Sequence, residues 1–405
     1  MGDGMRKRKE SKEGKALQKV EAECAARTGR SLLKSTCFIL VGLCLSMLLL
    51  NVLLPFDPEV STQPLIRDSS KDGGLVPEPS EDVKSITELT FHAIDRTRVH
   101  GWLVIPVTTL KPAKFESSPL PPCVVMGHGF GAQKDMGLIH YAEAWAKEGI
   151  ASFIIDYRSW GGSDGHVRHL VDQPSHVSDL VSAFEFVSLE LGSKVDGTRI
   201  ALWGSSLAGG HVLTAAALLR DHVRAVISQS PSLDGQASFE LNLEKLGTKR
   251  AARMLFAAIT DQLRGWLGLT PAYVKILGEE GKDMLSVMTV SPQEHVAYFS
   301  KHPPRQRPAK TYLGGWKNMV PARFALTFSR SRPILDVPKI MAPILFIQPA
   351  WDSVVPNDLV PKAAEMAKHK DTKVFKGEHG HFETYTLGLE AATAAMVPFL
   401  VKHLE

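Results

Sequence analysis

Cysteine is scarce in this chain: Cys24, Cys37, Cys44 and Cys123 are the only four in 405 residues. Only Cys123 follows residue 54, so no internal disulfide can form beyond that point, and a disulfide scaffold is excluded. No His, Cys, Asp or Glu cluster has the spacing of a metal site, and neither a metal nor a cofactor is expected. The body has no basic stripe with interleaved aromatics, which argues against a nucleic-acid partner. Asn-x-Ser/Thr does not occur, and no repeat at solenoid spacing is evident. What is abundant is apolar: 44% of residues are hydrophobic and 22% charged, which excludes disorder over most of the length and allows a sizeable core.

The charge that is present is unevenly spread. The first 34 residues hold ten Lys or Arg against five Asp or Glu, so a formal net charge of +4 leaves the remainder close to neutral. Residues 36–54 then read TCFILVGLCLSMLLLNVLL, nineteen positions without a charge, and about twenty residues at 1.5 Å rise cross a bilayer core. A cleaved leader has a short basic head, an apolar region of about 7 to 15 residues and a small-x-small site. Here the head is 34 residues long and no such site precedes Pro55. The expectation is a basic cytosolic tail over 1–35 and an uncleaved single-pass transmembrane anchor over 36–54. The positive-inside rule places the N-terminus in the cytosol and the large C-terminal part in a lumen or outside the cell. Residues 55–82 are rich in Pro, Asp, Ser, Glu and Gly without an apolar period, the composition of a flexible linker. A single catalytic body is expected over 83–405.

That body opens with a hairpin-like pair, ITELTFHAI and VHGWLVI. Short apolar runs then alternate with helical stretches: PCVVMGHG, IASFIID, RIALWG and RAVISQS, with helices over 138–148, 175–191 and 207–219 between them. Such alternation predicts an α/β fold with a mostly parallel, doubly wound sheet. It pauses at about 235–338 and resumes with PILFIQ, a helix, TKVFK and a last helix. A structureless loop of that length is rare, so a helical cap insertion is expected there. The insertion carries fifteen Lys or Arg against eight Asp or Glu, which reads either as a plain charge split of lid against core or as a face for anionic head groups or acidic acyl substrates.

Between RIALW and an Ala-rich helix stands Gly204-Ser205-Ser206-Leu207-Ala208-Gly209-Gly210. A nucleophile elbow needs small residues two before and two after its serine, and Gly204 and Ala208 fill those places around Ser206. Ser205 is the rival, but it would have Trp203 two residues before it. A serine hydroxyl needs an imidazole base, itself oriented by a carboxylate. Asp352 follows the run PILFIQ and is favoured as the acid; Asp358 stands at a helix start and reads as an N-cap. His381 is favoured over His379 as the base because it ends the loop before Phe382. The loop His128-Gly129-Phe130-Gly131 belongs where an oxyanion hole forms, with the Phe130 and Leu207 amides as donors and His128 as a shaping residue. Asp156 to Ser163 reads as a structural turn.

Together these segments resemble the α/β-hydrolase superfamily over residues 83–405. More narrowly, DYRSWGGSDG, RIALWGSSLAGGHV, ISQSP, WKNMVPAR and HGHFETY are similar to the dienelactone-hydrolase-like group. That group is related to Xaa-Pro dipeptidyl-peptidase-like domains and to fungal polyketide thiohydrolases and transferases. The resemblance implies a catalytic triad of Ser206, Asp352 and His381, and a structural role for Trp316, Asn318 and Arg323 at the end of the cap. A membrane anchor is not typical of the group. The function expected is a membrane-anchored serine hydrolase acting on an ester, thioester or amide carbonyl of a small-molecule, acyl or peptide substrate. An acyltransferase with the same triad, or a silent binding protein that keeps the fold, is the alternative.

Overall fold

The computed structural model describes residues 39–53, 57–67, 76–107, 118–283, 285–299 and 315–405. The basic tail expected over 1–35 lies outside the described residues. The chain divides after Phe56 into two units. In the first, α1 spans residues 39–53, and its Ile39, Leu43, Met47 and Leu50 side chains are exposed. No helix among the described residues is long and apolar enough to cross a membrane. The expected span, 36–54, runs past both ends of α1 into residues that are not described.

In the second unit, β1 (Val83–His92) and β2 (Arg98–Pro106) form the expected hairpin, followed by β3 (Cys123–Gly127), α2 (Leu138–Ala146), β4 (Ala151–Asp156), α3 (Gln173–Glu190), β5 (Ile200–Ser205), α4 (Leu207–Leu219) and β6 (Ala225–Gln229). The insertion holds α5 (Gly235–Trp266), β7 (Tyr273–Glu279), β8 (Ser286–Val290), α6 (Pro292–Phe299), β9 (Val320–Pro321) and α7 (Ala325–Phe328). The body closes with β10 (Ile344–Gln348), α8 (Leu359–Met366), β11 (Lys373–Lys376) and α9 (Leu389–Leu404). Eight strands form one sheet in the order β1-β2-β4-β3-β5-β6-β10-β11. From β4 to β11 every pairing is parallel; β2 joins β1 and β4 antiparallel.

The strands read as continuous apolar runs because the sheet is buried on both faces. Cys123 and Val125 of β3 join one core with Phe153, Leu202, Leu180 and Val212, where α3 and α4 cover the sheet. Val124 and Met126, one residue out of phase, join a second core with Ile154, Trp203, Tyr141 and Leu400, under α2 and α9. Period-2 alternation thus sorts side chains between two apolar layers. Each fully buried Leu or Val there contributes about 1.5–3 kcal/mol.

Two expectations need correction. The sequence predicts a helical insertion, yet it also builds its own three-stranded sheet in the order β8-β7-β9. Two of those strands are short, β8 with five residues and β9 with two, and strands of such length, paired within a helix-rich insertion, leave little periodic signal. The composition of 55–82 reads as a flexible linker, yet residues 57–67 are bonded to the body. Ser61 and Tyr273 exchange two backbone hydrogen bonds of 3.0 and 2.7 Å, and Asp57 pairs with Arg253 at 2.9 Å. Glu59 accepts from the Leu285 amide at 2.6 Å, and Arg67 pairs with Asp164. Every partner lies about a hundred residues or more away in sequence, beyond the reach of local composition.

Candidate active site

The turn from β5 into α4 places Ser206 at φ 59° and ψ −120°, a left-handed conformation that strains a residue with a Cβ. Gly204 permits it, because a Cβ at that position would fall on the carbonyl oxygen of Ala208. The backbone is fixed on both sides: the Ser206 amide donates to the Gln229 carbonyl at 2.8 Å, and its carbonyl accepts from Ser232 at 2.9 Å.

His381 reaches this serine from the loop after β11. Its Nε2 lies 3.0 Å from Ser206 Oγ, and its Nδ1 lies 2.6 Å from Asp352 Oδ2. An ionised carboxylate only accepts, so Nδ1–H donates to Asp352 and the Nε2 lone pair faces the serine hydroxyl. Asp352 is set in turn by the Val354 and Val355 amides, which both donate to its Oδ1 at 2.8 Å. The side chains of His381 and Asp352 are sealed from solvent. The structure therefore brings Ser206, His381 and Asp352 into one hydrogen-bonded chain, capable of moving a proton from the hydroxyl to the imidazole.

The rivals are engaged elsewhere. Ser205 points under the elbow, where its Oγ accepts from Tyr385 Oη at 2.6 Å and from Gln229 Nε2 at 3.1 Å. The His379 Nδ1 contacts Thr384 Oγ1 at 3.0 Å and the Gly380 carbonyl at 3.1 Å. Asp358 stands at the N-cap position of α8, but its exposed side chain pairs with Lys362 at 2.8 Å instead of capping the helix.

The loop after β3 lies against the serine: a Cβ on Gly129 would be 3.1 Å from Ser206 Cβ. Neither the Phe130 nor the Leu207 amide has a hydrogen-bond partner among the described residues, so both remain able to donate to a developing oxyanion. His128 shapes this loop. Its Nδ1 contacts the Gly129 carbonyl at 3.0 Å and its Nε2 accepts from the Tyr157 amide at 3.2 Å. Trp316 fixes the loop from the cap, donating Nε1–H to the Gly131 carbonyl at 2.8 Å. Asn318 exchanges two hydrogen bonds with the Leu277 backbone, and Arg323 holds Asp261.

Beneath the loop lies a pair that the sequence did not reveal. Lys134 and Asp156, both fully buried, form a salt bridge, with the ammonium also 4.8 Å from the centre of the Trp102 ring. Burial pushes the Asp156 carboxyl up, but the charge and hydrogen bond of Lys134 together with the neighbouring His128 and His100 outweigh it and bring the pKa down to about 2. Asp156 also accepts from the Lys134 and Gly162 amides at 2.9 and 3.0 Å. The turn after β4, which includes Gly162, and the loop carrying Phe130 are thereby joined through one carboxylate.

A cavity of about 180 Å³ opens at Ser206 between the body and the cap. Its walls are mostly apolar, with Phe130, Leu243, Met254, Val287 and Phe328 among them. No acidic residue is among those described as lining it; the charged ones are Lys245 and Arg250. Several cap cations are committed within the fold: Arg253 to Asp57, Lys275 to Asp283, Lys282 to Glu279, Arg323 to Asp261 and Arg332 to Asp234. The basic excess of the cap is thus partly consumed by its own architecture. Among the described residues no group of side chains is arranged to hold a metal ion.

Comparison with known proteins places these features in context. A protein-family model described as "Serine aminopeptidase, S33" matches residues 120–381. The quorum-quenching protein AidA of Acinetobacter baumannii is 32% identical over 265 residues, 65% of this chain and 80% of its own length. The thiohydrolase aneE of Aspergillus aculeatus is 25% identical over 278 residues, 68% of this chain and 79% of its own. In structure, the α/β hydrolase GrgF from Penicillium sp. superposes with a TM-score of 0.61 at 21% identity, over 79% of this chain and 99% of GrgF.

Proposed function

Because the chain belongs to the S33-type α/β-hydrolase family and is a serine-hydrolase-type enzyme, we propose that Ser206 cleaves an ester or thioester carbonyl through an acyl-enzyme. The observation that carries this reading is the continuous chain from Ser206 Oγ through His381 to Asp352, at 3.0 and 2.6 Å.

Ser206 Oγ attacks the carbonyl carbon as its proton passes to His381 Nε2. The carbonyl π electrons move to the oxygen, which the Phe130 and Leu207 amides receive as an oxyanion. Collapse expels the alcohol or thiol with the proton from Nε2, leaving an acyl-Ser206 ester. Water then attacks, losing its proton to Nε2, and the second collapse returns that proton to Ser206. Asp352 keeps the imidazole in the productive tautomer and stabilises its cationic form. The mostly apolar cavity supports an acyl or alcohol part of low polarity. An amino-terminal peptide is less well served, since no described lining residue is a carboxylate that would take its ammonium. Kinship to the dienelactone-hydrolase-like group is part of the same reading, and water as the acceptor is preferred to an alcohol or amine acceptor on the strength of the hydrolase relative aneE.

The reading includes a single-pass anchor over residues 36–54, with the N-terminus cytosolic and the hydrolase domain lumenal or extracellular. It is supported by the uncharged run and by the basic residues before it. Labelling of membranes by a fluorophosphonate tests both parts. Wild type labels and resists carbonate extraction, and Ser206→Ala does not label. Equal labelling of both would sink the nucleophile, and release by carbonate would sink the anchor.

A further inference from the structure

The cavity at Ser206 is apolar along most of its wall, yet Arg250 also lines it. Arg250 stands on α5 three residues past the kink at Gly247. Its guanidinium crosses to β8 and the segment before it: Nη1 donates to the Asp283 carbonyl at 3.5 Å, and Nη2 to the Ser286 carbonyl at 3.2 Å, to Ser286 Oγ at 2.7 Å and to Thr289 Oγ1. All four acceptors are neutral oxygens. Nε is buried and has no hydrogen-bond partner among the described residues.

The contrast with its neighbours is sharp. Arg253, Lys275 and Arg323 each pair with a carboxylate, whereas Glu59 and Asp283 act on Arg250 only through space, and burial lowers its pKa from the ordinary value. Arg250 is half-buried, and a cation partly withdrawn from water without a bonded anion carries a cost that neutral dipoles compensate only in part. A brace between α5 and β8 would need only the four neutral contacts. The remaining Nε–H, and a charge that Glu59 and Asp283 offset only through space, are what a carboxylate would use. The Ser286 and Thr289 hydroxyls, 3.0 Å apart, add to this. Both accept from Nη2, one donates to the other, and the second O–H proton is left for a third oxygen.

We propose that Arg250, with the Ser286 and Thr289 hydroxyls, is an anion subsite, so that the substrate carries a carboxylate separated from the scissile carbonyl by an apolar stretch. This deepens the function proposed above and rests on Ser206 as the nucleophile. The carboxylate belongs either to the acyl chain or to the leaving alcohol; the chemistry recognised is the same.

The test uses the purified full-length enzyme and chromogenic esters in two arms. One arm compares mono-esters of α,ω-dicarboxylic acids, from glutaric to sebacic, with unsubstituted acyl esters of the same length. The other compares esters with and without a carboxylate on the alcohol. At a favoured spacing the carboxylate substrate has the higher kcat/KM by about 10- to 100-fold, the range of a charge-assisted hydrogen bond, and the arm that shows it identifies the carrier. Arg250→Met abolishes that ratio, and Thr289→Val reduces it. Independently of any variant, a free dicarboxylic acid of the favoured length inhibits wild-type turnover of a neutral ester more strongly than the monocarboxylic acid of equal length. Neutral esters preferred at every spacing in both arms, or a ratio unchanged in Arg250→Met, would overturn the subsite. No turnover of any ester, together with no fluorophosphonate labelling at Ser206, would instead overturn the nucleophile assignment on which it rests.

Discussion

Tyr385 donates its hydroxyl to Ser205 Oγ at 2.6 Å, so the loop that carries His381 is bonded to the residue directly before Ser206. Tyr385 is fully enclosed, and burial pushes its phenol up to about 12. Gln229 bridges Ser205 and Tyr141 at 3.1 and 3.0 Å, and Tyr141 donates to the Thr384 carbonyl at 2.9 Å. The elbow, β6, α2 and the histidine loop therefore share one buried network, which sets the 3.0 Å separation of His381 from Ser206.

Tyr385→Phe is expected to lower stability by about 1 kcal/mol and kcat by about tenfold through misplacement of the base. KM should hardly change. Stopped-flow acylation kinetics check it, and an unaltered kcat would restrict Tyr385 to stability.

Trp316→Phe removes the 2.8 Å hydrogen bond to the Gly131 carbonyl while keeping the ring. The Phe130 amide, one residue away, then loses part of its support. A fall in kcat is expected, short of the roughly 2.7–4 kcal/mol that deletion of an oxyanion donor costs. Steady-state kinetics with a small neutral ester measure it; a change in KM alone would count against the relationship.

Lys134→Met leaves the Asp156 carboxylate buried and unpaired, and is expected to cost about 3–5 kcal/mol. Adding Asp156→Asn removes the buried charge and keeps an acceptor for one of the two amides, which donate to different carboxylate oxygens, so it should restore part of the loss. The pKa of Asp156 is about 2 when folded, against an ordinary value of 3.8. Its contribution is therefore present above about pH 4 and lost as pH falls toward about 2. Urea denaturation of the single and double variants decides; an uncompensated double variant would refute the pairing energy.

Burial holds His169 and His211 down to about 3, against an ordinary 6.5, and lowers His176 well below it. Between those values the unfolded chain binds more protons than the folded one, so stability rises with pH. It is fully present above about pH 6.5 and declines as pH falls toward about 3. Urea midpoints should drop between about pH 7.5 and about pH 5, and His211→Phe should flatten the slope. A midpoint indifferent to pH over that range would show these histidines free to protonate.

The main elements were legible in the sequence because buried strands are short and apolar whatever surrounds them. Cys123–Gly127, Ala151–Asp156 and Ile200–Ser205 sit where the runs predicted, and α4 has the predicted bounds. The cap sheet was not legible, because Val320–Pro321 is a strand only through its pairing with Tyr273 and Val274. Nor was the docking of residues 57–67, whose composition looks like a linker and whose partners are on the cap and, for Arg67, on the turn after β4.

By itself the sequence determined which residues are equipped for the chemistry: a serine with Gly204 and Ala208 around it, an aspartate after one strand and a histidine after another. Those assignments follow from local sterics and chain order. Only the tertiary structure decided the rest. It turned Ser205 toward Tyr385, engaged His379 with Thr384, consumed several cap charges in ion pairs and left Arg250 without a bonded carboxylate on the cavity wall. His379 with Thr384 and Lys275 with Asp283 are near in sequence; the other outcomes depend on distances between residues tens to hundreds of positions apart, which packing sets and no local pattern encodes.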